Sequence, residues 1–80
     1  MSKRKHLLDG HAVAGLLRHV REEAKLTQRD LAQRLHRGQP WIHKSEMGVR
    51  RIDVAEFVDW CIACEVRPEK AFQTLLQGRK

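Results

Sequence analysis

Apolar side chains recur along this chain at the spacing of one helical face, and no segment alternates apolar and polar residues with β-branched types in the way a strand does. The first such pattern opens at Asp9, a suitable N-cap, and runs to about Lys25 with Val13, Leu16, Leu17, Val20 and Ala24 on one face. Arg18, Arg21, Glu22, Glu23 and Lys25 fall mostly outward. Thr27 caps the next helix, Gln28 to Leu35, and Asp30 completes a shortened capping box, with Leu31, Ala32 and Leu35 facing inward. In the turn His36-Arg37-Gly38, Gly38 is expected to supply a positive φ, and His36 is of a type that tolerates one. A third helix begins around Gln39, with Pro40 in its first turn, Ile42 and the aliphatic part of Ser45-Glu46 inward, and Gly48 as its stop. After the basic loop Val49-Arg50-Arg51, Asp53 and Glu56 form a second capping box. The helix behind it runs from Val54 to about Glu65, with Val54, Phe57, Val58, Cys61, Ile62 and Cys64 as its stripe. Arg67-Pro68 breaks it, and Pro68 opens a fifth helix to about Leu76 with Ala71, Phe72, Leu75 and Leu76 apolar. The pattern predicts an all-α chain of about five helices without linker, repeat or low-complexity stretch.

Eighty residues suffice for one domain, with residues 1–8 as a flexible basic arm, 9–77 as the folded body and 78–80 as a frayed tail. A hydrophobic content of 41 % supports a small core. The formal charge of +6 favours a polyanionic partner, nucleic acid first and an anionic membrane surface second. The membrane reading is weak, because no apolar run approaches a spanning length. Met1-Ser2-Lys3-Arg4-Lys5 resembles the start of a signal peptide, but charge interrupts the apolar stretch that should follow, so a cytoplasmic location is expected. Lys3-Arg4-Lys5 reads either as a solvated tail or as an arm reaching DNA phosphates.

Catalytic chemistry finds little support. Cys61 and Cys64 form a CxxC, but the helical surroundings lack the βαβ context of a redox site, and one CxxC supplies only half of a zinc site. Both lie on or beside the apolar stripe, where reduced core thiols are expected. His6, His11, His19, His36 and His43 form no set with Cys, Ser or Asp at triad or metal spacing. Neither a phosphate-cradling glycine loop nor a pocket for a small effector is visible. The expectation is a non-enzyme without metal or cofactor.

Residues Leu26-Thr27-Gln28, Leu31-Ala32, Leu35, Ile42, Glu46-Met47-Gly48 and Arg50-Arg51, at these spacings, resemble the helix-turn-helix of the Cro/lambda-repressor-like family, also called the XRE (xenobiotic response element) family. The resemblance spans roughly Leu16 to Phe72 and implies a compact five-helix lambda-repressor-like fold with double-stranded DNA as partner. Ala32 must be small where the two helices cross, and Leu31, Leu35 and Ile42 fill the wedge between them. The third helix then projects its N-terminal half toward base edges. Gln39 suits adenine, and Lys44 suits guanine. His43 is placed to reach a base or a phosphate, and Pro40 offers an apolar contact. Trp41 either packs on a sugar or thymine methyl or stacks over the turn. In the family, the glutamine corresponding to Gln28 grips a phosphate, aided by the helix amides. Arg37, Arg50 and Arg51 are expected to flank the groove on phosphates, with a solvated loop as the alternative for the last two. The resemblance also implies a structural ion pair between Arg21 and Glu46.

Three positions depart from the family pattern. His36 stands where glycine is usual, Pro40 where a base-contacting residue is common, and Ser45 where a large apolar side chain is expected to fill the core. The function implied is a sequence-specific transcriptional regulator, a repressor acting as a homodimer on a two-fold-related operator. Trp60, Phe72, Leu75 and Leu76 are the candidate dimer surface. The competing reading is an antitoxin or adaptor of the same fold whose main partner is another protein.

Overall fold

A computed structural model describes residues 10–77 as five helices: α1 (Gly10–Glu23), α2 (Gln28–Leu35), α3 (Gln39–Glu46), α4 (Val54–Ala63) and α5 (Pro68–Gln77). The basic arm with Lys3, Arg4, Lys5 and His6, the proposed cap Asp9 and the tail 78–80 lie outside the described residues. Both capping boxes are formed. The Thr27 hydroxyl accepts from the Asp30 amide while the Asp30 carboxylate accepts from the Thr27 amide, and Asp53 and Glu56 do the same for α4. These reciprocal bonds satisfy amides that a helix start leaves orphaned.

The ends of α1 and α4 depart from the sequence reading for one physical reason, which they share with the end of α2. α1, α2 and α4 each stop before a residue in the left-handed region, namely Lys25 (φ 63°), His36 (φ 55°) and Glu65 (φ 60°). The amide that follows each left-handed residue turns back to its helix: Leu26 to the Arg21 carbonyl, Arg37 to that of Ala32, and Val66 to that of Cys61. Such endings normally carry glycine. Here three ordinary side chains occupy them, so α1 and α4 are two residues shorter than their apolar pattern suggests. The expectation for Gly38 is corrected too. Gly38 has φ −76° and caps α3 without a side-chain hydrogen bond, and His36 makes the left-handed turn. Among the described glycines only Gly48, at φ 77° after α3, needs its glycine for conformation. Left-handed backbone costs a residue with a Cβ roughly 1–2 kcal/mol, against about 0.5–1 kcal/mol of extra chain entropy for glycine. His36→Gly is therefore expected to stabilise the domain by up to about 1 kcal/mol, raising Tm by a few degrees in a thermal melt.

The core joins α1, α2, α4 and α5 around Leu16, Leu17, Val20, Leu31, Ala32, Trp60, Cys61, Cys64 and Ala71, with Ile42 reaching in from α3. One predicted face is rotated. Trp60, expected at a dimer surface, is fully buried, and its indole N–H donates to the Leu17 carbonyl at 3.0 Å. Val54 and Ile62, expected inward, are 79 % and 61 % exposed. The row α4 buries is Phe57, Trp60, Cys61 and Cys64, which has the same helical spacing and contains the largest side chain. Trp60 is thus excluded from any interface with a second protein. Cys61 and Cys64 are unpaired thiols, and burial pushes both up to about 11. They stay protonated and inert at neutral pH.

Ser45 is fully buried. Its hydroxyl donates to the Trp41 carbonyl at 2.8 Å, and it borders an open cleft of about 430 Å³ lined also by His11, Val13, Leu17, Arg50 and Arg51. No helix among the described residues is long and apolar enough to cross a membrane.

Candidate nucleic-acid interface

α2 and α3 meet through Leu31, Ala32 and Ile42, all buried, with half-buried Leu35 beside them. The small Ala32 side chain admits the close approach, and packing Ile42 inward settles which face of α3 looks out. That face carries Gln39, Pro40, His43 and Lys44, all exposed. These are the polar, apolar and cationic groups suited to base edges and phosphates in a major groove. Arg51 and Arg29 are exposed close by in sequence.

A buried ion pair fixes α3 to α1. Arg21 Nε donates to Glu46 Oε2 at 2.6 Å and Nη2 to Oε1 at 2.9 Å, while Nη1 donates to the Leu26 carbonyl at 2.8 Å. The side chains are only 11 % and 3 % exposed. The hydrogen bond to Glu46 raises the pKa of Arg21, so the guanidinium is permanently charged. Gln28 is drawn into this network, its Nε2 donating to Glu46 Oε1 at 3.1 Å. It therefore keeps only one side-chain N–H for the phosphate contact implied by the family resemblance, beside the free amides at the start of α2.

A second cluster surrounds Trp41. The guanidinium carbons of Arg37 and Arg50 lie 4.3 Å and 4.4 Å from the centre of its ring. The ring also packs on Trp60 with centroids 6.1 Å apart. Trp41 thus lies in a stack beside the turn. Arg50 Nη2 donates to Glu56 Oε2 at 2.9 Å, and Arg37 Nη2 lies 3.7 Å from the same oxygen. Arg50 is therefore turned back onto the protein at 29 % side-chain exposure, whereas Arg37 remains 45 % exposed. The hydrogen bond from Arg50 and the Asp53 amide hold the Glu56 carboxyl below its ordinary range. Its contribution to stability is complete above the ordinary carboxylate range and fades only as pH falls through the lowered value.

The sequence shows Glu56 as a helix cap but gives no sign of its second task, since its arginine partners come from two separate turns. Arg34 was likewise not legible: it donates to the Ala63 carbonyl at the end of α4 at 2.6 Å. Among the described residues, no group of three or more His, Cys, Asp and Glu is placed to hold a metal ion.

The family model described as "Helix-turn-helix domain" matches residues 12–79. Among solved structures, an XRE-family like protein from Pseudomonas syringae pv. tomato str. DC3000 is 37 % identical with a TM-score of 0.78, over 85 % of this chain and 83 % of that one. A mutant of the restriction-modification controller protein C.Esp1396I is 22 % identical with a TM-score of 0.80, over 85 % and 91 % of the two chains. The clp gene regulator ClgR from Corynebacterium glutamicum is 18 % identical with a TM-score of 0.81, over 92 % and 79 %. No significant match was found among curated proteins.

Proposed function

The chain belongs to the XRE-like family of helix-turn-helix DNA-binding domains, and we propose that it is a sequence-specific transcriptional regulator, a repressor that lays α3 in the major groove of its operator. The observation that carries this reading is the division of α3. Ile42 and Ser45 are buried, while Gln39, Pro40, His43 and Lys44 all face solvent on a chain of net charge +6. Gln39 and Lys44 read bases, and His43 and Pro40 contact the groove wall. Arg37, Arg51, the start of α2 with Gln28, and the N-terminal arm take phosphates. No cofactor, metal or catalysis has a part in this reading. The proposed site of action is the cytoplasm. The low-identity neighbours named as a controller and a gene regulator are consistent with such a role.

A homodimer on two half-sites about one helical turn, roughly 34–36 Å, apart would match a two-fold operator. Phe72 and Leu76 are the exposed apolar positions of α5, and Ile62 is one on α4. Phe72 and Leu76, with half-buried Leu75, form the candidate surface. Sedimentation at high concentration without DNA is expected to show a dimer, and a monomer there would refute this surface.

Selection from random duplex DNA, followed by affinity measurements at two salt concentrations, tests the main reading. The selected site should bind about 10³–10⁷-fold more tightly than unrelated duplex, with a steep salt dependence. Lys44→Ala is expected to lose about 1–3 kcal/mol at one base position only. Arg51→Ala should weaken all duplexes alike and flatten the salt slope by about one. Equal affinity for selected and unrelated DNA would remove the regulator reading and favour an adaptor whose main partner is a protein.

A further inference from the structure

The cluster around Trp41 has an unusual charge arrangement. Two guanidiniums rest on one indole ring, and both address one carboxylate oxygen, Glu56 Oε2. Arg37 lies two residues before α3 begins, and Arg50 lies four residues after it ends. The stack therefore ties both ends of α3 to the first turn of α4. Like charges this close repel, and Glu56 is the carboxylate shown within ion-pair distance of both. Glu56 is itself immobilised, because its other oxygen accepts from the Asp53 amide at 3.0 Å and its own amide donates to Asp53 at 2.7 Å. Arg50 Nη1 is buried and has no hydrogen-bond partner among the described residues, so Nη2 on Glu56 is the main polar anchor of that side chain.

We propose that Glu56 is a positioning residue for DNA recognition: its carboxylate holds Arg50 as a tether on Trp41, sets the angle of α3, and presents Arg37 toward a backbone phosphate. Glu56 does not touch DNA. The proposal rests on the DNA-binding reading and divides the arginines by task. Arg50 is engaged internally. Arg37, at 3.7 Å a longer and more exposed partner, exchanges the shared carboxylate for a phosphate oxygen when DNA arrives. Trp41 then acts as the platform for this exchange rather than as a reader of bases.

Glu56→Gln provides a test in which the competing effects have opposite signs. Glutamine still accepts from the Asp53 amide, so the capping box survives. The net charge rises by one, and simple electrostatics would then tighten binding to every duplex. Positioning predicts the reverse for the selected site: about tenfold weaker binding, with unrelated duplex unchanged or bound more tightly, so that the specificity ratio falls at least tenfold. Asp53→Ala is the control. It removes the side-chain acceptor for the Glu56 amide and lowers Tm, yet keeps the carboxylate on the Asp53 amide and the arginines, and should leave the specificity ratio within about twofold of the parent. Arg37→Ala should weaken the selected site on its own, and adding Glu56→Gln to it should cost less than Glu56→Gln alone. A Glu56→Gln protein that binds the selected site as tightly as the parent, or more tightly, overturns the proposal while leaving the DNA-binding reading intact. A parent with no preferred duplex overturns both.

Discussion

Replacing Arg21 by alanine is expected to destabilise the domain by about 3–5 kcal/mol, because it leaves the Glu46 carboxylate buried without its counter-ion. Three donors leave with the guanidinium, two from Glu46 and one from the Leu26 carbonyl, and Gln28 Nε2 alone remains on the carboxylate. In a domain of this size about 1 kcal/mol moves Tm by roughly 4–8 °C, so a fall of at least about 12 °C should appear in a circular-dichroism melt. Arg21→Lys should recover little, since an ammonium cannot make the two-point contact with Glu46 and reach Leu26 as well. Lys44→Ala is the informative comparison. Its side chain is exposed, so the stability of this variant should stay within about 0.5 kcal/mol of the parent while base discrimination suffers. For Arg21→Ala the order reverses: the folded fraction should keep its base preference. Equal melting temperatures for the two variants would show that the ion pair does not hold α3 in place.

The second large effect concerns Trp60. Its side chain is fully buried at the centre of the core, and truncation to alanine should cost about 3–5 kcal/mol, comparable to the whole stability of a small domain. Trp60→Phe separates volume from hydrogen bonding. It retains most of the ring but loses the donor to the Leu17 carbonyl, with an expected cost of about 1–3 kcal/mol. The indole of Trp41 packs on Trp60, so fluorescence from Trp41, the other tryptophan of the chain, should shift as its support is removed. If Trp60 lay at an interface, both variants would change self-association and leave a dilute sample's melting curve unaltered. The buried position predicts a loss of stability at every concentration.

The contrast between these residues shows where sequence patterning succeeds. Helix starts were legible because their chemistry is local: Thr27 with Asp30 and Asp53 with Glu56 satisfy amides within one turn, and the observed α2 and α4 begin as predicted. Helix ends were less so. Lys25 and Glu65 carry no glycine, so nothing in their side chains announces the left-handed turn that ends α1 and α4. The direction of α4 was also ambiguous. Val54, Val58 and Ile62 make as regular a stripe as Phe57, Trp60, Cys61 and Cys64, and only the space offered by α1, α2 and α5 selects the second.

An all-α chain, two capping boxes, a basic surface and the polar outer face of α3 were all readable from the residues in order, because each depends on spacing within a single helix or on summed charge. That Trp60 belongs inside, that Arg50 turns back to Trp41 and that Glu56 serves two arginines emerged only once the helices were packed together. Those outcomes depend on the shape left between helices and on partners far apart in the chain. The burial of a ring and the pairing of charges are settled by neighbours that periodicity along one helix does not specify.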